Sequence, residues 1–270
     1  MFRMKIKGMR FLLSHALIMM PVLIVIGCAT SQSKLKRENE ATAHYKLGIA
    51  QLSENHAQEA LVEFQKAVEI EPQDAEIHYA LGHVYYLQRN NDKAILEFKA
   101  VLKLDPGHSE AHNHLGKVYE LEQRWDDAIH EYQEAVKNPK YPTPQFAHYN
   151  MGLVYEKMER WPDAIKEFQE TLRIDPNFVT PMGGPSAYIV YYEIGQTYAK
   201  MQKPTEAIAA YQDALQLFPD YADGHLGLGL AYCKGGSKQL AKEEFAKVLK
   251  LSPAGTVLPE NAKECLESLK

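Results

Sequence analysis

The chain has 270 residues, and 46% of them are hydrophobic. That fraction is enough for a packed core and too high for a disordered polar segment. Thirty basic against 35 acidic residues give a formal charge of −5, which argues against a basic nucleic-acid-binding face and against a polybasic membrane signal.

Residues 1–10 carry Arg3, Lys5, Lys7 and Arg10 and no acid, and residues 11–26 are mostly apolar. A charged stretch followed by an apolar one is the anatomy of a secretory signal. A transmembrane helix is the alternative, but the 16-residue run contains Pro21, and spanning takes about 20 residues. The run closes on Val25-Ile26-Gly27-Cys28, which resembles the lipobox of bacterial lipoproteins. The resemblance implies a signal peptide over 1–27, cleavage before Cys28 and lipidation of its thiol, leaving 243 residues. The leader takes with it four basic residues and no acid, so 26 basic and 35 acidic residues remain, a charge of −9. One acyl chain anchors only marginally, and three make desorption negligible. Ala29, rather than aspartate, after the cysteine implies transport to the outer membrane, so the expected location is the periplasmic face of the outer membrane. Residues 28–40 are polar and lack periodicity. They are expected to form a lipidated tether reaching up to about 40 Å.

A repeat follows. Gly48, Gly82, Gly116, Gly152, Gly195 and Gly229 are each followed twelve residues later by alanine (Ala60, Ala94, Ala128, Ala164, Ala207, Ala241). Four residues further on comes an aromatic: Phe64, Phe98, Tyr132, Phe168, Tyr211, Phe245. Proline recurs eight residues beyond, at Pro72, Pro106, Pro176, Pro219 and Pro253; the third repeat has Lys140 there, after Pro139. Glycine and alanine allow close helix approach, the aromatic fills space, and proline ends a helix. The pattern resembles the tetratricopeptide repeat. It implies an all-α fold, a right-handed tetratricopeptide-repeat superhelix of six helical hairpins plus a C-terminal capping helix. The repeats fall at 41–74, 75–108, 109–142, 145–178, 188–221 and 222–255, with the capping helix over 256–270. The nine extra residues from Val179 to Ala187, with Pro181, Gly183, Gly184 and Pro185, are expected to form an exposed loop.

In such repeats the first helix of each hairpin faces a groove. Carried over residue by residue, this places Tyr45, Ile49 and Leu52 of the first repeat there, with Tyr79, His83, Tyr86 and Leu87 of the second. The third offers Asn113, Lys117 and Glu120, the fourth Phe146, Tyr149 and Leu153. The fifth offers Ile189, Tyr192 and Gln196, and the sixth Leu226 and Leu230. Tyrosine and aliphatic side chains dominate, so the groove is expected to be apolar and to take an amphipathic helix or extended peptide. The plainer alternative is that some tyrosines only pack between repeats. Replacing Tyr79 and Tyr149 by alanine is expected to weaken capture without unfolding the array. The lysine and asparagine of a chaperone-tail clamp are absent, Tyr45 and Ile49 standing in their places.

Chemistry-bearing motifs are sparse. His108, His112 and His114 are expected to form a solvated turn rather than a metal site, lacking a third or fourth converging ligand. Gly224-His225-Leu226-Gly227-Leu228-Gly229 lies inside a repeat with no preceding strand, which excludes a nucleotide loop. The acidic pairs Asp126-Asp127 and Glu243-Glu244 are expected to be solvated. No catalytic constellation and no cofactor are expected. Cys233 and Cys265 are expected as two buried thiols, with a disulfide in an oxidising compartment as the alternative.

The stretch Asn138-Pro139-Lys140-Tyr141-Pro142-Thr143-Pro144-Gln145-Phe146, leading into Tyr149-Asn150-Met151-Gly152, together with the leader and six repeats, resembles the type IV pilus biogenesis lipoproteins of the PilF/PilW/Tgl group. The resemblance implies a pilotin that binds secretin subunits in its groove and carries them to the outer membrane by the lipid on Cys28. The alternative is an envelope adaptor that docks a protease or peptidoglycan enzyme. A further alternative is a scaffold of an unrelated pathway without a true lipoprotein leader. The interval of 43 residues before Gly195 is not part of the pilus-group pattern.

Overall fold

The computed structural model describes residues 32–178, 186–251 and 260–268. The signal peptide, Cys28 and residues 179–185 of the insertion lie outside them. All regular structure among the described residues is α-helix, and no helix there is long and apolar enough to cross a membrane. The described residues divide into two compact units, one ending at Pro106 and the other beginning at Gly107.

The first unit holds α1 (32–53), α2 (Ala57–Ile70), α3 (Ala75–Leu87) and α4 (Asn91–Leu104). Helix α1 starts earlier than the sequence implies: residues 32–40, expected as tether, are helical. Arg37 supplies a reason. Its Nη2 donates to the carbonyl of Ile70 at 2.5 Å and stands 3.9 Å from Glu71. The extra turns of α1 thus satisfy a carbonyl that the end of α2 leaves without an intrahelical donor. Ala41 then packs with Ala67 and Ile77.

The second unit holds α5 (Ser109–Leu121), α6 (Trp125–Lys137), α7 (Pro144–Lys157), α8 (Trp161–Ile174), α9 (Ala187–Lys200), α10 (Pro204–Leu217), α11 (Ala222–Lys234), α12 (Lys238–Leu251) and α13 (Glu260–Ser268). Each hairpin pairs two consecutive helices, and its second helix packs on the first helix of the next. Pro144 and Pro204 open α7 and α10, and Pro162 sits in the first turn of α8, where a missing N–H costs nothing. Asn138 shapes the Pro-rich connection before α7. Its Oδ1 accepts from Lys140 N at 3.0 Å and its carbonyl from Tyr141 N at 3.0 Å, and the Tyr141 side chain is buried.

One packing device recurs in both units. The second-helix alanines are all 0% exposed, and the aromatic sixteen residues after each glycine packs directly against that glycine. A Cβ at Gly82 would stand 2.7 Å from Phe98, and one at Gly152 would stand 2.5 Å from Phe168. Burying each ring contributes about 1.5–3 kcal/mol. The sixth hairpin adds a second contact of this kind: a Cβ at Gly227 would meet Tyr211 at 2.6 Å. The glycine run that superficially matches a nucleotide loop is therefore a seat for the preceding repeat's ring. The turn between the two helices uses a left-handed residue seven positions after each glycine: Asn55, Arg89, Gln123, Glu159, Gln202 and Gly236, with φ between 57° and 79°.

A second device was not read from the sequence. A histidine four residues before the glycine meets a glutamate nineteen residues on, across the hairpin. His44–Glu63, His78–Glu97, His112–Glu131 and His148–Glu167 stand at 2.6 Å, and His225–Glu244 at 2.5 Å. The fifth repeat has Tyr191 and Ala210 in these places. His225 also holds the Pro219 carbonyl with Nε2 at 2.8 Å. A carbonyl only accepts, so Nε2 carries a hydrogen and donates it there. The clasp corrects two expectations. His108, His112 and His114 are not a solvated turn: His108 Nδ1 accepts from Ala111 N at 3.2 Å as the N-cap of α5, and His114 Nδ1 donates to the Glu110 carbonyl at 2.9 Å. Glu244 is not solvated either, being 8% exposed and held by His225 and by Lys247 at 2.8 Å.

The cysteines are a third correction. Cys233 of α11 and Cys265 of α13 form a disulfide rather than two thiols. Helix α13 has nine residues and buries only Ala262 and Cys265. So little apolar surface holds a short helix weakly, and the covalent link supplies the rest. The link seats α13 over Phe245 and Val248 of the last repeat, with Leu226 and Leu230 beside them.

Candidate partner-binding face

The first helices of the hairpins carry the candidate groove residues. In the first unit these are α1 and α3. Tyr45 is half-buried, its ring 5.8 Å from that of Phe64, and Tyr79 repeats the arrangement 6.0 Å from Phe98. Each groove tyrosine thus leans on the aromatic of its own hairpin. Ile49 is exposed, and His83 and Tyr86 are half-buried. Burial raises the Tyr45 hydroxyl above its ordinary value, and Glu76 and Asp74 add to this. The wall in this unit is aromatic and aliphatic.

In the second unit α7 touches the first helices on either side of it, α5 and α9, through polar side chains. Asn150 Nδ2 of α7 donates to Asn113 Oδ1 of α5 at 3.2 Å, both side chains being buried. Asn113 is therefore a link between helices and not a groove residue. Tyr149 is only 9% exposed; its ring lies 5.8 Å from Phe168 and 5.5 Å from Phe178. Phe146 leans on the same Phe178 at 5.3 Å. Leu153 is half-buried. Tyr192 is half-buried between Tyr211 at 5.7 Å and Tyr221 at 5.2 Å. Substituting Tyr149 would therefore disturb the core as well as the face, which removes the clean separation of binding from folding expected of that change.

This row is also charged, which the register of groove positions only partly foreshadowed. Lys117 and Glu120 of α5 are half-buried, and Tyr132 donates its hydroxyl to Glu120 at 3.0 Å. Burial lowers the Lys117 ammonium and raises the Glu120 carboxyl, the Tyr132 hydrogen bond opposing the latter. Glu156 of α7 is buried and takes Lys200 Nζ at 2.6 Å and Thr197 Oγ1 at 3.2 Å, both from α9. Glu193 of α9 lies next to it, and burial, with the Glu156 charge second, pushes its carboxyl up to about 7. Glu156, Glu193, Thr197 and Lys200 were missed because each alone looks like an ordinary helix-surface residue. A cavity of about 550 Å³ opens further along, lined by Tyr211, Gly227, Leu230, Lys234, Glu264 and the disulfide. Among the described residues no group of three or more His, Cys, Asp or Glu is placed to hold a metal ion.

Comparison with known proteins agrees with this construction. The family model described as TPR repeat matches residues 52–89 and 195–236, and models described as tetratricopeptide repeat match 79–143 and 146–178. No curated protein is a significant sequence match. Among solved structures, pilF of Pseudomonas aeruginosa is similar over 86% of this chain and 99% of its own, with a TM-score of 0.68 and 23% identity. PilW, described as a widely conserved type IV pilus biogenesis factor, is similar over 84% and 98%, with a TM-score of 0.66 and 20% identity. YrrB, described as a TPR protein with an unusual peptide-binding site, is similar over 76% and 97%, with a TM-score of 0.62 and 19% identity. The hairpins built on Gly-Ala-aromatic spacing and the repeat matches lead to one identification: the chain belongs to the tetratricopeptide-repeat family, whose fold is a scaffold for protein–protein interaction.

Proposed function

We propose that this scaffold is a lipid-anchored assembly factor of the pilotin type, which captures a secretin subunit and delivers it to the outer membrane for type IV pilus biogenesis. One observation carries the reading: the similarity to pilF and PilW runs over nearly the whole of those chains and most of this one. The likeness is therefore to a complete array of the same size, not to a repeat or two. The leader ending at Cys28 supports the membrane half of the proposal, since acylation there would tether the array to a bilayer. The first-helix faces support the capture half. Association costs an estimated 4–15 kcal/mol, so several aromatic anchors must engage a partner segment together. Ala29, rather than aspartate, after Cys28 supports the periplasmic face of the outer membrane as the location.

The test is genetic and biochemical. Deleting the gene should abolish heat-resistant secretin multimers, and Cys28→Ala should leave them misplaced or missing. Normal multimers at the outer membrane in the deletion strain would exclude the pilotin role.

A further inference from the structure

We propose that the cavity beside α13 is a pocket for a large apolar side chain, a leucine or phenylalanine of a partner segment, and that it exists only while Cys233 and Cys265 are joined. The proposal rests on the protein-binding reading and adds a site and a condition to it.

The cavity measures about 550 Å³, within the range of sites that enclose drug-sized ligands. Its floor is apolar and buried: Tyr211 of α10 and Ala231 of α11 are 3% and 4% exposed. Leu230 beside them is half-buried. Its rim is polar: Lys234 of α11 and Asn261 and Glu264 of α13 are exposed. An apolar floor inside a polar rim is the make-up of the pockets into which interface anchors fit. Lys234 and Glu264 give the rim one charge of each sign, so it asks no net charge of its occupant. Leu230 follows the repeat glycine Gly229 by one residue, as Leu153 follows Gly152 and Gln196 follows Gly195. It therefore continues the row of first-helix positions assigned to the groove, which favours a side chain from a segment lying along that face over a free metabolite.

Helix α13 supplies one side of the cavity through Asn261, Glu264, Cys265 and Ser268. It has nine residues and buries only Ala262 and Cys265, so the bond from Cys265 to Cys233 of α11 keeps it in place. A dithiol undoes that bond in balanced steps. Its thiolate attacks one protein sulfur and forms a mixed disulfide, and the other protein sulfur leaves as a thiolate and takes a proton. The reagent's second thiol then closes its own disulfide and frees the remaining cysteine. The protein gains two electrons and two protons, and the dithiol loses them. Once α13 departs, the cavity has lost a wall. An apolar side chain placed there keeps contacts with the floor and forfeits those with α13.

The experiment uses the full chain purified in detergent, with leucine and alanine methyl groups labelled for NMR. The probe is N-acetylphenylalaninamide, with N-acetylglycinamide as its control. In the oxidised protein the phenylalanine probe should shift the Leu230 and Ala231 methyl signals saturably, at a midpoint at least about tenfold below that of the glycine probe. Dithiothreitol should raise that midpoint at least about fivefold, with amide protection of α9 to α11 retained. Asn261→Trp keeps the bond and fills the cavity from its exposed rim, and should abolish the shifts. Equal midpoints for the two probes, equal midpoints before and after reduction, or shifts that survive Asn261→Trp would overturn the proposal. Secretin multimers in the deletion strain read the pilus role independently, so either idea can fail while the other stands.

Discussion

Separating His225 from Glu244 should unfold the sixth hairpin, whereas replacing the two together should not. His225→Ala removes a 2.5 Å contact to Glu244 and a 2.8 Å contact to the Pro219 carbonyl. The two side chains are 8% and 10% exposed, so water makes up little of the loss. Removing one partner of a buried, hydrogen-bonded ion pair costs about 3–5 kcal/mol. Glu244 keeps Lys247 at 2.8 Å, which places the expected cost near the low end, about 3 kcal/mol. The chain contains its own control in the fifth repeat, where Tyr191 and Ala210 occupy the same two places. Installing that pair, His225→Tyr with Glu244→Ala, removes the charge along with its partner and should cost less than about 1.5 kcal/mol. The double-mutant cycle should then show a coupling above about 2 kcal/mol. Urea unfolding combined with hydrogen exchange at α11 and α12 is the suitable assay, because repeat arrays need not open as one unit. Additive effects of the two single changes would refute the clasp as a coupled pair.

Four further outcomes are expected. Gln202→Gly should stabilise the protein by about 0.5–1 kcal/mol in chemical denaturation, because the left-handed turn at φ 58° strains any side chain with a Cβ. Cys265→Ser should release α13 and cost about 3–4 kcal/mol, the loop-closure value for a separation of 32 residues, read as lost protection of α13 amides. Tyr149→Ala should cost about 3 kcal/mol of stability, since the ring packs on Phe168 and Phe178; an unchanged unfolding midpoint would contradict that placement. Glu193 makes stability pH-dependent in a defined direction. Its folded value of about 7 lies above the ordinary 4.5, so the native state holds the extra proton and stability falls as pH rises from about 4.5 to 7. Glu193→Gln should flatten that slope and stabilise the protein at pH 8 by about 2 kcal/mol, allowing for partial exposure.

The hairpins were legible because their packing depends on residue size at fixed intervals. A glycine under a ring, as at Gly82 and Phe98, admits no substitute, so the spacing records the contact. The clasps follow the same interval, His four before and Glu fifteen after each glycine in five repeats, yet they were not read. Histidine and glutamate are common on helix surfaces, and only the pairing across two helices shows that these are partly buried. The left-handed turn left no mark at all, since asparagine, arginine, glutamine, glutamate and glycine fill it in different repeats; the surrounding hairpin imposes the conformation. The helical start of α1 was hidden by a polar composition that solvent-facing helix and tether share. On the candidate face, register placed Tyr45, Tyr79 and Tyr192 on the first helices but could not say how far each ring sinks, which depends on the neighbouring Phe64, Phe98 and Tyr211.

Stacked hairpins loosen first at their ends, where the last one has a single neighbour. The Cys233–Cys265 bond shuts one such end, and it can do so only where thiols are oxidised. The same polypeptide therefore has two stiffnesses, slack at its tail in a reducing space and stapled in an oxidising one.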